Sequence, residues 1–259
     1  MNPVRQLVSM LCALACGAVL VARARAQDGA VMPLPPEDQQ VINAMLGPGV
    51  VGQALPSQPI QDVSVYFPLR ERVLNYQVTS GPLAGNTQTL AVARGKRPNG
   101  NPAWRFGLSP SLAAFLRQTD QGLIMPAVSD FGEGVVVVTT PANPFLLSGM
   151  QPGETRTLSQ TVSVNYLDDP TSRDYSGNLT TAYTYVGTYQ VTVPAGTYQA
   201  ILMRQQSEGK VGPAHTKDVA YYFFAPQVGV VAMISQEDVE AFWIIRIDSR
   251  AGKLLASVQ

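Results

Sequence analysis

From Asp62 to the C-terminus apolar and polar residues alternate with a period of two, as expected of strands with one packed face and one wet face. In Thr155–Tyr166, Leu158, Val162, Val164 and Tyr166 alternate with Thr157, Ser159, Thr161, Ser163 and Asn165. Residues 183–193 repeat the pattern, with Tyr183, Tyr185, Tyr189, Val191 and Val193 opposite Thr184, Thr188, Gln190 and Thr192. Gly187 interrupts that aromatic row, where a bulge or bend is expected. The same reading predicts strands over 62–67, 73–80, 88–94, 103–108, 122–125, 135–139, 198–205, 219–225, 228–235 and 239–248. Turn signals such as Leu83-Ala84-Gly85-Asn86, Pro98-Asn99-Gly100-Asn101, Pro152-Gly153 and Pro194-Ala195-Gly196 separate them.

Short strands joined by tight turns favour antiparallel hairpins over βαβ crossovers. The expected fold is mainly β: a single curled antiparallel sheet, a half-barrel or open barrel of meander topology, with one or two short helices. Residues 219–225 and 239–247 are apolar on both faces, so something must also cover part of the back of the sheet. Residues 27–61 read as a Pro/Gly-rich N-terminal strap holding one helix, 36–46. Proline suits its first turn, Glu37 and Asp38 complement the positive end of its dipole, and Gly47-Pro48 stops it. Val41, Ile42, Met45 and Leu46 give it an apolar face able to cover the sheet. Residues 111–117 fit a second helix or a strand equally well. Residues 62–259 form the antiparallel β domain.

The first residues follow an export pattern: Arg5, an apolar run from Leu7 to Ala22, and Ala24-Arg25-Ala26 as a cleavage site, giving a signal peptide over 1–26. The protein is therefore expected to be periplasmic or secreted, with no membrane span after cleavage. The alternative is a lipoprotein anchored at Cys16, within Ala13-Leu14-Ala15-Cys16-Gly17. Losing Arg5, Arg23 and Arg25 leaves 15 of the 18 basic residues against 18 acidic ones, a net charge of about −3, which disfavours nucleic acid. Cys12 and Cys16 leave with the leader, so the domain has no disulfide, thiolate metal site or cysteine nucleophile.

Val191-Thr192-Val193-Pro194-Ala195-Gly196-Thr197-Tyr198 and Tyr221-Tyr222-Phe223-Phe224-Ala225-Pro226-Gln227-Val228-Gly229 resemble landmarks of a group of uncharacterised secreted bacterial β proteins. Tyr66-Phe67-Pro68-Leu69 and Met150-Gln151-Pro152-Gly153-Glu154 are similar to earlier landmarks of that group, although Arg70-Glu71-Arg72 departs from its usual turn. The resemblance spans Asp62 to about Asp248. It implies a curled antiparallel sheet similar in outline to periplasmic carriers of lipoproteins, and no established activity.

Catalytic chemistry finds little footing. His215, the sole histidine, stands in a glycine-proline turn, and no G-x-S-x-G elbow occurs. Zinc would have to rely on carboxylates. Asp168-Asp169-Pro170 reads as an Asx turn and Gln236-Glu237-Asp238 as a hairpin tip, neither with calcium-loop spacing. Asp120, Asp130 and Glu133 are the carboxylates that could meet for glycoside hydrolysis. Gly132-Glu133-Gly134 lacks the rest of a phosphate loop, and Asn178-Leu179-Thr180 matches a sequon but reads as a strand start. No metal and no cofactor is expected, and no enzymatic activity.

The surplus is aromatic and apolar: Tyr183, Tyr185, Tyr189, Tyr198, Tyr221, Phe223, Phe242 and Trp243, with Met203 and Met233, fall in adjacent predicted strands. They read either as core or as the lining of a concavity. Tyr183, Tyr185, Tyr189, Tyr221, Phe223 and Trp243 are the candidate ligand-binding residues. The expected function is capture of a hydrophobic ligand, such as a lipid, acyl chain or apolar peptide, by an envelope protein. The alternative is an assembly factor docking an envelope protein through a sheet edge, followed by a carboxylate-only hydrolase.

Overall fold

The computed structural model describes residues 29–241 and 245–259. The leader assigned to 1–26, with its Cys16 alternative, and both Phe242 and Trp243 lie outside the described residues.

Residues 31–259 make one compact unit. The elements run β1 (Ala30–Val31), α1 (Pro36–Leu46), β2 (Val51–Ser57), α2 (Val63–Tyr66), β3 (Arg72–Ser80), β4 (Thr87–Lys96) and β5 (Pro102–Gly107). They continue with β6 (Leu112–Thr119), β7 (Gly122–Asp130), β8 (Val135–Leu147), β9 (Thr155–Tyr166) and β10 (Arg173–Val193). The last four are β11 (Gly196–Val211), β12 (Ala214–Ala225), β13 (Gly229–Ala241) and β14 (Ile245–Val258).

From β3 to β14 each strand pairs antiparallel with the next, as a meander should, and β14 returns to pair with β3 from Val258↔Leu74 to Gly252↔Ser80. The sheet is therefore a closed twelve-stranded barrel, which corrects the expected open or half-barrel. The alternation was strong enough to find the strands, but the closing pairs are far apart in sequence. The residues that make them on the C-terminal side, including Leu254 and Leu255, were not read as a strand.

Other corrections are local. The stretch 62–67 is not a strand: Asp62 Oδ1 accepts the Ser64 N–H at 2.8 Å and starts α2, an N-cap that outweighs four alternating residues. Of residues 111–117, which fitted a helix or a strand equally well, 112–117 belong to β6. The Gln236-Glu237-Asp238 run is not a hairpin tip; it continues β13, paired with β14 through Val239↔Ile247. The strap supplies strand β2, which pairs with β10 (Thr188↔Leu55, Tyr189↔Ala54) beyond the point where β10 leaves β9.

Two packed layers follow from the strand faces. Directly paired residues share a face, so Met203, Tyr222 and Met233 point into the barrel, while Leu202, Phe223 and Ala232 point out. Inside, Phe67, Phe106, Phe145, Tyr222 and Phe224 form edge-to-face and tilted pairs with centroids 5.2–6.4 Å apart. Such packing fills the lumen of a barrel that would otherwise be wide. Outside, α1 lies on β13, β14 and β3, its buried Ile42, Met45 and Leu46 sharing one core with Leu202, Phe223 and Ile234. For 219–225 this is the cover that a doubly apolar strand required.

Candidate functional site

The nominated aromatics divide between the two layers. Tyr183 and Tyr185 pair with Gln205 and Met203 and lie inside. The Tyr183 hydroxyl donates to Asn143 Oδ1, and that of Tyr185 donates to the Gln58 carbonyl at 3.1 Å. The bulge between Tyr185 and Gly187 then reverses the alternation, so Tyr189, paired with Ala200, faces outward with Tyr221 and Phe223. The Tyr221 hydroxyl donates to Asp38 Oδ1 of α1 at 2.9 Å, and the Tyr189 hydroxyl is buried with no partner among the described residues. The five described candidates thus form two clusters on opposite faces of the wall. Burial pushes the phenols of Tyr183, Tyr185, Tyr189 and Tyr221 upward, so they remain neutral.

The polar candidates are also separated. Asp130 Oδ1 accepts the Gly132 and Glu133 N–H groups at 2.8 and 3.2 Å, capping the β7–β8 turn, whereas Asp120 sits in the turn at the opposite end of β7. The three carboxylates suggested for hydrolysis therefore do not converge. His215 is an exposed residue of β12. Asp169 closes an Asx turn with Thr171, and Asn178 lies within β10 and not at a strand start. Among the described residues no three His, Cys, Asp or Glu side chains group as metal ligands.

The two barrel ends differ. One is stoppered by α2 and Phe67, the Gln227 N–H donating to the Val65 carbonyl at 2.6 Å. At the other, where the β3–β4 and β5–β6 turns meet the tall β13–β14 wall, lies a recess of about 380 Å³. Val78, Leu108, Leu112, Tyr222 and Met233 make its apolar wall, and Pro82 and Leu83 stand at its mouth. Its polar lining includes Gln88, Ser235, Glu237 and Lys253. Lys253 Nζ donates to the Leu108 carbonyl, and burial holds its pKa down to about 8. Glu237 and, across the β12–β13 ladder, Asp218 face the same lumen. Burial and then the Glu237 charge push Asp218 up to about 6; burial and then Asp130 push Glu237 upward.

Of the sequence-nominated surplus only Met233 lines this recess; Tyr222, Lys253 and Glu237 were not nominated. A lysine inside an alternating apolar strand, Lys253 before Leu254-Leu255, was the available signal. A second recess, about 460 Å³, lies where β8 and β9 part below Thr140↔Thr161, and is lined by Ile124, Pro141, Pro144, Leu158 and Tyr183.

No family model matches the chain, and no curated protein matches it. Two solved structures do. One, described as a lipoprotein from Parabacteroides distasonis, is 13% identical, with 77% of this chain and 100% of that one covered at a TM-score of 0.37. The other, described as an exported protein with a YmcC-like fold from Bacteroides fragilis, is 12% identical, with 78% and 98% covered at a TM-score of 0.36.

Proposed function

We propose that this chain is an exported, non-enzymatic protein that binds a hydrophobic ligand in the recess at the open end of its barrel. The observation that carries the reading is the recess itself: apolar walls, a few polar groups, and a volume of about 380 Å³. Small-molecule pockets share that build and run from about 300 to 1,000 Å³. The volume lies near the lower end of that range. Export is supported by the leader pattern, and the outer wall carries Gln206, Glu208, Lys210 and Lys217 exposed on adjacent strands. A lipid-facing barrel would place an apolar band there. No helix among the described residues is long and apolar enough to cross a membrane.

Docking by strand addition is the weaker reading, because ring closure removes most free edges and Pro141 and Pro144 strip donors from β8 where it parts from β9. Native mass spectrometry of the protein purified from its own envelope, with lipid extraction of the same sample, tests the proposal. A stoichiometric adduct released as a lipid is expected. A bare mass, with no uptake of added fatty acid, would overturn it.

A further inference from the structure

Lys253 is 6% exposed and Gln88 7%, yet both belong to the wall of the recess. Lys253 pairs with Val78 and Gln88 with Tyr76, so the two flank β3 and project into the lumen on either side of it. The ammonium makes one hydrogen bond, to the Leu108 carbonyl, and has three N–H groups to satisfy. No described carboxylate forms a salt bridge with it. Gln88 Oε1 is likewise buried without a partner. Burying a charge that lacks a counter-ion is unfavourable, and buried polar atoms left unsatisfied are rare in folded proteins. Two such groups converging on one apolar recess mark a place where a ligand completes the bonding. Glu237 and Arg250 also line the recess, but on β13 and at the far end of the β14 lining, and the depression of the Lys253 pKa is caused by burial alone.

Resting on the ligand-binding reading above, we propose that the recess takes a single-chain alkyl carboxylate, with its head group on Lys253 Nζ and its chain against Val78, Leu108, Leu112 and Met233. The ammonium supplies charge-assisted donors to the carboxylate. The carboxylate has no proton to give Gln88 Oε1, whose donor is a water held beside the head group. The chain replaces water along the apolar wall, each methylene strengthening binding roughly fourfold.

The test is titration calorimetry of the whole protein, stripped of lipid, with dodecanoate, dodecanol and dodecylammonium. The wild type should bind dodecanoate at least about tenfold more tightly than dodecanol, and dodecylammonium least, since one charge-assisted bond is worth that much. Lys253→Met, close in length and apolar, should lower dodecanoate affinity to that of dodecanol while dodecanol binding persists. Equal affinities for dodecanoate and dodecanol in the wild type, or an unchanged preference in Lys253→Met, overturn the head-group assignment and leave the pocket reading standing. Failure of all three to bind the wild type overturns the pocket reading itself. If Lys253→Met does not fold, the wild-type ranking of the three head groups decides alone.

Discussion

Asp38 ties the helix to the barrel. It is fully buried, accepts Arg204 Nη1 at 2.7 and 2.9 Å through both oxygens, and takes the Tyr221 hydroxyl at 2.9 Å. Removing one partner of a buried pair strands the other, so Asp38→Ala should destabilise the fold by about 3 kcal/mol, read from urea unfolding. A loss below about 1 kcal/mol would show that Arg204 re-solvates freely. Asp218 has the opposite sign. Its folded pKa, raised to about 6 by burial and Glu237, exceeds the unfolded value of 3.8, so the native state holds the proton more tightly. Its favourable contribution is complete below the unfolded value and is lost as pH rises through about 6. Near pH 7 the half-buried carboxylate therefore costs on the order of 1–2 kcal/mol. Asp218→Asn should raise stability by that amount near neutrality and by nothing near pH 4; equal gains at both pH values would refute the assignment. At this scale the alternation put Tyr185 and Tyr189 together on one apolar face, as core or as the lining of a concavity. It did not show what they pack against, because burial follows from apolar type while the partner follows from which face of which strand lies opposite.

Strands β10 and β11 show how elements bend to close a ring. Gly177 and Gly209 lie two residues apart in their ladder, and a Cβ on Gly209 would stand 2.0 Å from the Asn178 carbonyl oxygen and 2.9 Å from Leu179 Cα. Those are backbone atoms, so relief requires the two strands to separate. Gly209→Ala should cost at least about 2 kcal/mol. Gly95→Ala, where the nearest atom is a side-chain carbon at 3.8 Å, should stay within about 0.5 kcal/mol. Comparable losses at the two sites in thermal melts would mean that glycine flexibility, and not close approach, is what matters. Alternation located most strands, and capping residues with helical apolar spacing located α1 at its observed bounds, because those signals are local. It lost α2 to a capping aspartate, and it could mark the Gly187 bulge without revealing that the bulge turns Tyr189 from the lumen to the helix layer.

For the whole molecule, closure is the feature with the widest consequences. A ring has no frayed edge, so the amides of 74–80 and 252–258 should exchange only through large-scale opening, as slowly as those of β11 and β12. An open sheet would leave β3 and β14 as its edges, and native-state hydrogen exchange would find them the fastest strands of the barrel. Closure also creates the recess: residues from β3, β4, the β5–β6 turn, β12, β13 and β14 meet at one rim only because the first and last strands of the ring are neighbours.

The sequence by itself determined the β class, the meander order and the amphipathic helix, since each rests on periodicity and turn chemistry within a few residues. It read the aromatics as core or as the lining of a concavity, without dividing them between two layers. The tertiary structure alone decided that the sheet closes, that α1 covers the outside of β13, β14 and β3, and that Lys253 and Gln88 share a recess. The physical reason is that strand pairing across the whole chain is set by how complementary faces bury together, and a bulge or a distant partner changes those faces without altering the local pattern.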